Sequence, residues 1–278
     1  MEPVCNLLIL RAEKNSRKET HMSLPPPTDS SRTLLPDLPD DRDHVFDLST
    51  APNPLPKSVD LRPMTPPVLD QTGLESCTAH AIAAAIQYER RKLGLQPDFT
   101  PSRLFIWFNE RFNELTEELN KGASIRDGIK SVAAQGVCPE SEWEYDVKKF
   151  KMRPPQESYE SALKRRLVSY RRLPGFNEMK ACLASGYPFV FGMFLFEPIG
   201  TPLQSEVKPV VSVTGEYPDP KSHAMLAVGY DDSTQRFLIR NSWGEHWGDG
   251  GHFTAPYWMF RAPIVFDAWA LMGIEETA

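Results

Sequence analysis

One stretch, residues 71–86, constrains how this chain can fold more than any other. It reads QTGLESCTAHAIAAAI, a polar loop that runs into an alanine-rich helix. Ser76 is a favourable N-cap residue, so Cys77 is predicted to lie in the first turn of that helix. Backbone N–H groups at a helix N-terminus favour an anion, and the thiolate is the reactive form of cysteine. A cysteine on an apolar helix is more often buried and inert, so this stretch alone does not indicate a catalytic site.

Two segments about 150 residues downstream supply a candidate base and a residue to orient it. Residues 222–230 and 236–244 are rich in apolar residues with strand character, and the residues between them have turn composition. Together they predict an antiparallel hairpin. A hairpin of this kind places His223 opposite about residues 241–243, so that Asn241 can reach the imidazole.

Three motifs in this order resemble those of the papain-like cysteine peptidases. They are the glutamine-to-cysteine loop with its helix, the His-Ala-x-x-x-Val-Gly-Tyr strand and the Asn-Ser-Trp-Gly turn, and the ordered set is a strong signal. The resemblance covers roughly residues 55–266 and is most similar to a disulfide-poor bacterial branch of the family. It implies an α+β, two-lobe fold with a helical lobe at about residues 55–165 and a mainly antiparallel β lobe at about 166–278. The active-site cleft is expected between the lobes.

The resemblance also implies roles for individual residues. Cys77 is expected to be the nucleophile and His223 the general base, held as a thiolate–imidazolium ion pair. The side-chain amide of Gln71 and the backbone N–H of Cys77 are expected to stabilise the oxyanion. Asn241 is expected to orient the imidazole, and Trp243, counted with the substrate-binding residues, to shield that hydrogen bond. From residue type alone, the asparagine could equally be a turn residue and the tryptophan a core residue.

Two further segments are expected to contact the substrate. Gly122, Ala123 and Ser124 match the family's glycine-rich segment, which binds an extended peptide through its backbone. An ordinary loop before a helix is the alternative. The Pro-rich loop over residues 197–222 is expected to line the cleft, as the corresponding region does in the family, and a loop of this length is usually functional or mobile.

Hydrophobic periodicity predicts the remaining elements. Apolar residues spaced by three and four, with glycine or proline at the segment ends, predict helices over residues 77–93, 101–115, 125–135 and 176–184. The aromatic residues of the second helix are expected to be core. A strand is expected over residues 189–196 because of their β-branched and aromatic content.

Residues 1–54 differ in composition from the rest of the chain. Charged residues come first and proline-rich stretches follow, so the segment is expected to be mostly extended or disordered. We interpret it as an N-terminal extension of a catalytic domain at residues 55–278. One hypothesis is that residues 35–55 pack along the cleft and restrain activity, as an inhibitory pro-segment does. An arm that only braces the lobes is the alternative.

Composition argues against several other classes of protein. A net charge of −6 disfavours a nucleic-acid surface, and no apolar run approaches the roughly 20 residues of a membrane helix. No signal peptide is indicated, so we expect a cytoplasmic monomer acting on peptide or protein substrates, with export by a route without a cleaved signal left open. Cys77 and His80 form a C-x-x-H string without further ligands at suitable spacing, so no metal or other cofactor is expected.

Two positions depart from the family pattern. Glu75 stands where most relatives have glycine, and a carboxylate near a thiolate disfavours the charged form. Leu74 stands where secreted relatives carry half of a disulfide, and no disulfide framework is indicated. Three function classes stay open: a cysteine-type endopeptidase, an acyl transferase or amidase with the same Cys–His pair, and a catalytically quiet peptide-binding module.

Overall fold

The structure, a computed structural model, describes Leu34 and residues 36–38, 40–195 and 222–277 of the 278-residue chain. The helices of this described part are α1 (Cys77–Lys92), α2 (Arg103–Asn113), α3 (Ile125–Gln135), α4 (Gln156–Ala162) and α5 (Phe176–Ala184). Its strands are β1 (Ser58–Asp60), β2 (Arg165–Arg172), β3 (Phe189–Phe194), β4 (Ser222–Asp231), β5 (Arg236–Arg240), β6 (His252–Pro256) and β7 (Val265–Glu276). The strands form one antiparallel sheet in the order β2-β7-β3-β4-β5-β6, with β1 paired to β4.

Helix α1 is the centre of the helical part. Alanine dominates its sequence, and small side chains let neighbouring elements approach it closely. The helix packs against α2 and α3 on one side and against β4 and β7 on the other, so its side chains from Cys77 to Arg90 are buried. Gly94, with a φ of 68°, follows the C-terminal cap. The helix predicted over residues 77–93 is confirmed.

Helices α3 and α5 have their predicted bounds, whereas α2 is shorter than predicted. Ser102 Oγ accepts a hydrogen bond from the Phe105 N–H at 3.1 Å and caps the N-terminus of α2. The helix ends at Asn113, and its last turn reaches the surface, where Phe112 is 43% exposed and Leu115 is 85% exposed. The prediction that all aromatic residues of this helix are core is therefore wrong for Phe112. Helix α4 is too short to show a clear period, and the sequence did not predict it.

Strand β4 lies between two hydrophobic cores. Its side chains alternate between the two faces of the sheet, as strand geometry requires. Ala224 and Leu226 belong to the core formed with α1, α2 and α3. Met225 and Ala227 belong to the core formed with α5 on the opposite face. The predicted α+β fold, with a helical lobe and a mainly antiparallel β lobe, is confirmed.

The hairpin of β4 and β5 confirms the predicted antiparallel pairing. Leu226 pairs with Arg240 and Ala227 with Ile239, and the register shifts by one residue at a bulge before Gly229. The residue that follows β5 therefore lies near the start of β4. This register brings together the two candidate residues of the His and Asn motifs.

The three cysteines in the described part, Cys77, Cys138 and Cys182, are free and buried. Cys5 lies outside the described residues. No helix among the described residues is long and apolar enough to cross a membrane. The predicted cleft-lining loop falls almost wholly on residues 196–221, which also lie outside the described part.

Gly136, which follows α3, is closely packed against neighbouring backbone. Its φ is 77°, and a Cβ there would lie 1.7 Å from the carbonyl oxygen of Ala162. Gly94 also has a positive φ, but a Cβ there would meet nothing within 4 Å. We predict that Gly94→Ala lowers the free energy of unfolding by about 1 kcal/mol, the cost of the left-handed backbone alone. Gly136→Ala should lower it by about 3 kcal/mol or more, because the backbone must also shift.

Urea unfolding followed by tryptophan fluorescence measures both changes. Equal losses in the two variants would contradict the close contact at Gly136.

Candidate active site

Cys77 is the first residue of α1 and lies against the start of β4. Its Sγ accepts a hydrogen bond from the backbone N–H of Ala224 at 3.4 Å. The side chain of Ser76 occupies the N-cap position without capping the helix, and its hydroxyl contacts Tyr145 and His80 instead. The N-cap prediction is therefore right for the position and wrong for the hydrogen bond. The candidate nucleophile lies next to the strand residue that follows His223.

The candidate base and its orienting residue form a short hydrogen bond. His223 Nε2 lies 2.8 Å from Asn241 Oδ1, which also accepts from the Ser242 N–H at 2.8 Å. Because this amide oxygen only accepts, Nε2 carries the ring proton and Nδ1 of the neutral ring is free to take one. The Trp243 ring stacks on the imidazole, with 5.1 Å between centroids. The structure thus brings together these three predicted residues.

Gln71 is buried and held through both ends of its side chain. Its Nε2 donates to the Leu74 carbonyl oxygen at 2.9 Å, and its Oε1 accepts from Ser242 Oγ at 2.6 Å. Its backbone N–H donates to the Ser242 carbonyl oxygen at 2.9 Å. The second hydrogen of the side-chain amide has no acceptor among the described residues. This N–H is the group that would donate a hydrogen bond to an oxyanion.

Burial keeps the candidate pair neutral in this arrangement. It raises the pKa of the Cys77 thiol to about 12, against the effect of the Ala224 N–H, and the Glu75 carboxylate raises it further. Burial also lowers the pKa of the His223 imidazole to about 4, although its bond to Asn241 acts in the opposite direction. The closed site therefore favours a thiol and a neutral imidazole, in contrast to the ion pair expected from the sequence. For the thiol, removal of water outweighs the backbone N–H groups of Ala224 and Thr78, which lower its pKa.

A residue of the N-terminal extension lies beside the candidate base. Leu34 is 4% exposed and belongs to the same apolar cluster as Cys77 and Leu74. Its carbonyl oxygen accepts from Ser222 Oγ at 2.7 Å, directly before His223. The hypothesis that residues 35–55 pack along the cleft does not include Leu34, which directly precedes that range. Residues 33–37 read TLLPD, and two adjacent leucines before a proline carry no periodic signal.

The predicted substrate-binding segment is also the start of a helix. Ser124 occupies the N-cap of α3, and its N–H donates to Glu114 Oε1 at 2.6 Å. Ala123 is buried, and a Cβ at Gly122 would meet nothing within 4 Å. Ser124 Oγ donates to Asp37 Oδ1 of the N-terminal extension at 2.7 Å. The role of these three residues in substrate binding stays a prediction.

Two buried polar groups near the nucleophile were not predicted as part of the site. Thr78 Oγ1 donates to Glu110, a fully buried carboxyl group whose pKa burial raises well above its usual value. His80 Nε2 lies 2.8 Å from Arg103 Nη1, so the histidine of the C-x-x-H string already has a cationic partner. No group of three or more His, Cys, Asp or Glu side chains suited to hold a metal occurs among the described residues.

Comparisons with known proteins agree with these motifs. The sequence model of a family described as "Papain family cysteine protease" matches residues 55–257, a range that includes Gln71, Cys77, His223 and Asn241. A peptidase C1-like protein, L477, of Acanthamoeba polyphaga mimivirus is 37% identical over 225 residues, which are 75% of this chain and 70% of that protein. The crystal structure of xylellain, a cysteine protease from Xylella fastidiosa, is 36% identical, with a TM-score of 0.77 over 90% of this chain and 99% of that one. Bromelain from Ananas comosus, at 17% identity and a TM-score of 0.61 over 79% of this chain and 100% of that one, shares the fold.

We predict that the alkylation rate of Cys77 in the full-length chain rises with pH without a neutral plateau. The thiol pKa of about 12 and the imidazole pKa of about 4 leave little thiolate at pH 6. The thiolate fraction then grows about tenfold per pH unit up to pH 9. Iodoacetamide rates from pH 5 to 9, with mapping of the modified cysteine, measure this profile. An ion pair would give a constant rate between about pH 6 and 8, contrary to this prediction.

The charge of Glu75 should affect the same rate. Glu75→Gln removes the carboxylate and keeps the size of the side chain, and Glu75→Gly restores the residue of most relatives. Each should raise the alkylation rate at pH 7 by roughly threefold, which corresponds to about half a pKa unit. Glu118→Gln, at an exposed acid of the same lobe, is the control. An unchanged rate in both Glu75 variants would show that this carboxylate does not act on the sulfur.

Proposed function

The chain belongs to the papain family of cysteine proteases and is a cysteine-type peptidase, and we propose that it is an endopeptidase that works through a thioester on Cys77. The proposal rests on the arrangement of three side chains at the junction of the two lobes. There the Cys77 sulfur lies 3.4 Å from the Ala224 N–H, and the preceding residue, His223, is held by Asn241 at 2.8 Å. A nucleophile, a base and an orienting group thus come from three separate motifs. Peptides or proteins are the substrates.

The proposed reaction uses these groups in two half-reactions. The Cys77 sulfur attacks a peptide carbonyl carbon as its proton passes to His223 Nδ1, which the bond to Asn241 leaves free. The resulting oxyanion accepts from the Gln71 side-chain amide and the Cys77 N–H, each worth about 3 kcal/mol in comparable sites. His223 then protonates the leaving amine. Water, activated by the neutral imidazole, hydrolyses the thioester and releases the acid.

One observation favours a second candidate, the catalytically quiet peptide-binding module. The described site is closed, and both members of the Cys–His pair are neutral in it. A site that kept this pair neutral after opening would hold a peptide without attacking its carbonyl carbon. The acyl transferase and the amidase share every group of the proposed mechanism and differ in what attacks the thioester or in the substrate.

Labelling with an epoxysuccinyl inhibitor separates these functions. We predict that the full-length chain is modified at Cys77, that Cys77→Ser is not modified, and that His223→Ala is modified much more slowly because the thiol has lost its base. The buried, free Cys182 is an internal control that should stay unmodified in every variant. Lack of labelling at Cys77 both in the full-length chain and in a chain without residues 1–38 would leave only the quiet module.

Product analysis with a protein substrate completes the assignment. Internal cleavage products with new carboxyl termini, unchanged when a primary amine is added, support the endopeptidase. Products joined to the added amine would replace it with the acyl transferase. Release of ammonia without chain cleavage would replace it with the amidase.

We also propose that a short arm restrains the enzyme, where the arm is Leu34 together with residues 36–38. Leu34 belongs to the same apolar cluster as Cys77, and its carbonyl oxygen accepts from Ser222 Oγ at 2.7 Å. Three residues further along, the Asp37 N–H donates to Asp267 Oδ2 at 2.6 Å. Asp37 also accepts from Ser124 of the opposite lobe. These contacts support a role in which the arm covers the site from β4 to α3.

Among the described residues, hydrogen bonds hold the arm in place of a close ion pair, and Arg126 Nη1 donates to the Leu38 carbonyl oxygen at 2.9 Å. Asp37 Oδ2 lies 3.7 Å from both Arg126 Nε and Arg172 Nη1, beyond hydrogen-bond distance. Each arginine has a nearer carboxylate, Asp43 at 2.6 Å and Asp267 at 2.8 Å. Asp37 is therefore the third carboxylate near two arginine side chains that already have closer partners. Its bonds to Ser124 and Asp267 position the arm without a strong ion pair.

The residues that follow the arm brace the sheet instead. Phe46 is 4% exposed, and its N–H donates to the Arg172 carbonyl oxygen at 3.0 Å. The Arg172 N–H donates to the His44 carbonyl oxygen at 2.8 Å. The two roles considered for the N-terminal extension thus fit two different segments of it. A truncation that tests restraint must keep residues 44–46.

We predict that removing residues 1–38 raises peptidase activity by at least about tenfold, because the contacts of Leu34 and Asp37 are lost and the open site becomes more populated. Removing residues 1–33 keeps the arm and is the matched control, which should leave the activity unchanged. Hydrolysis of a fluorogenic peptide measures both, with thermal unfolding as a check on the fold. Equal activity in the two truncated chains, both folded, would end the restraint proposal.

A further inference from the structure

The loop between Gln71 and Cys77 has a backbone conformation that needs support. Thr72, a β-branched residue, has a φ of 53°, in the left-handed region that such residues rarely adopt. The Asp70 carboxylate accepts from the Thr72 N–H at 2.7 Å, and Gln71 Oε1 accepts from Ser242 Oγ at 2.6 Å. Strained residues persist only where the surrounding contacts fix them. The position of the oxyanion donor therefore depends on what holds this loop.

Tyr145, from another segment of the helical lobe, holds two points of the loop at once. Its hydroxyl donates to the Gln71 carbonyl oxygen at 2.8 Å and lies 2.6 Å from Ser76 Oγ. A carbonyl oxygen only accepts hydrogen bonds, so the Tyr145 hydroxyl donates to the Gln71 carbonyl oxygen. The Tyr145 oxygen in turn accepts a hydrogen bond from the Ser76 hydroxyl. One hydroxyl group thus joins the residue that carries the oxyanion amide to the residue before the nucleophile.

His80 and Arg103 fix the direction of the remaining hydrogen bonds. A guanidinium only donates, so His80 Nε2 accepts from Arg103 Nη1 and the ring proton lies on Nδ1. Nδ1 then donates to the Ser76 carbonyl oxygen at 2.9 Å and lies 3.3 Å from Ser76 Oγ. Burial, and then the Arg103 charge, lower the pKa of His80 to about 3, so the ring stays neutral at neutral pH. Glu140 holds Arg103 in turn.

These side chains also pack directly on one another behind the site. The His80 and Tyr145 rings meet edge to face with 5.1 Å between centroids, and the Arg103 guanidinium lies 4.2 Å from the centre of the Tyr145 ring. His80 and Arg103 line a small cavity together with Asn241 and Ser242 of the site. The hydrogen-bonded chain therefore lies next to the groups that also hold Gln71.

We propose that Tyr145 is a positioning residue for the oxyanion hole, at the end of a hydrogen-bond relay that begins at Arg103. In this relay Arg103 donates to His80, His80 Nδ1 to the Ser76 carbonyl oxygen, the Ser76 hydroxyl to Tyr145, and Tyr145 to the Gln71 carbonyl oxygen. The inference rests on the proposed function, because it concerns the oxyanion formed during peptide hydrolysis. Tyr145 acts through Gln71, whose amide must point at the oxyanion together with the Cys77 N–H. The Cys77 sulfur itself accepts from the Ala224 N–H of β4, which is not a member of the relay. Reactions of Cys77 that form no oxyanion are therefore independent of Tyr145.

Tyr145→Phe in the full-length chain tests the proposal, because it removes the hydroxyl and keeps the ring. We expect kcat for peptide hydrolysis to fall at least about tenfold with KM changed by less than about twofold. The iodoacetamide rate of Cys77 should be unchanged, since alkylation forms no oxyanion. If kcat and the alkylation rate fall together, or kcat does not fall, the proposal is overturned.

Tyr159→Phe is the matched control. The Tyr159 hydroxyl donates to Asn109 Oδ1 at 2.9 Å in the same lobe, away from the relay. This variant also loses one partly buried tyrosine hydrogen bond, but it should leave kcat, KM and the alkylation rate unchanged. A kcat loss equal to that of Tyr145→Phe would show that any such bond in this lobe matters equally, which overturns the assignment.

A double-mutant cycle shows whether Tyr145 acts through Gln71. Gln71→Ala removes the oxyanion donor, and in that background Tyr145→Phe should cause no further loss of kcat. Losses that multiply would mean a general effect on the lobe and would overturn the relay. All rates are normalised to the fraction of sites titrated by an epoxysuccinyl inhibitor, so that the occupancy of the arm cancels between variants.

Amide hydrogen exchange separates failure of this inference from failure of the proposed function. Absence of turnover in the parent chain would count against the endopeptidase, and the relay would then be read from exchange alone. Tyr145→Phe should speed exchange at residues 71–77, and Tyr159→Phe should not. Identical exchange in this loop for the parent and Tyr145→Phe overturns the relay.

Discussion

The close approach between the N-terminus of α1 and the start of β4 is the contact on which the rest of the structure depends. The Cys77 sulfur and the Ala224 N–H are 3.4 Å apart, although their residues lie far apart in the sequence. The contact requires α1 to lie directly on the sheet, which its alanine side chains allow. It also requires β4 to be fixed, and β1, β3 and β5 all pair with that strand. Both cores of the molecule therefore contribute to the geometry of one contact between two lobes.

The same close contact brings the thiol and the imidazole together, but it also lowers their reactivity. Bringing the thiol and the imidazole into the lobe junction excludes water from both, and desolvation disfavours the charged form of each group. The pKa of Cys77 rises to about 12 and that of His223 falls to about 4, so the assembled pair is neutral. Leu34 of the N-terminal extension lies beside this junction, where its carbonyl oxygen accepts from Ser222 Oγ. Opening the site to solvent or substrate would relax the same desolvation, so the covering segment and the protonation state of the pair are physically linked.

Local patterns in the sequence predicted the helices and strands that carry the site. They did not predict the side-chain contacts that depend on the folded lobe. The bounds of α3 and α5, the start of α1 and the β4–β5 hairpin follow from short-range periodicity, turn composition and glycine positions. The side chain of Ser76 was predicted as a helix cap, but it bonds to Tyr145, a partner whose proximity only the folded lobe creates. The exposure of Phe112 depends on where the lobe surface lies, which a helical period does not encode. Gly136 and Gly94 show the same limit of local patterns. Each follows a helix, and only the packing around it in the fold distinguishes one from the other.

Hydrogen bonds hold the oxyanion loop at the place where Leu74 stands instead of a half-cystine. The Asn120 carboxamide donates to the Gly73 carbonyl oxygen at 3.0 Å and accepts from the Glu75 N–H at 2.9 Å, so it spans the loop on both sides of Leu74. A single hydrogen bond contributes about 1 kcal/mol and a disulfide typically about 2–4 kcal/mol, so several bonds are needed to replace one cross-link. The loop has them from Asn120, Tyr145 and Ser242. Such bonds do not depend on redox state, but each relies on one polar side chain, so a single substitution outside the Cys–His pair can shift the oxyanion donor.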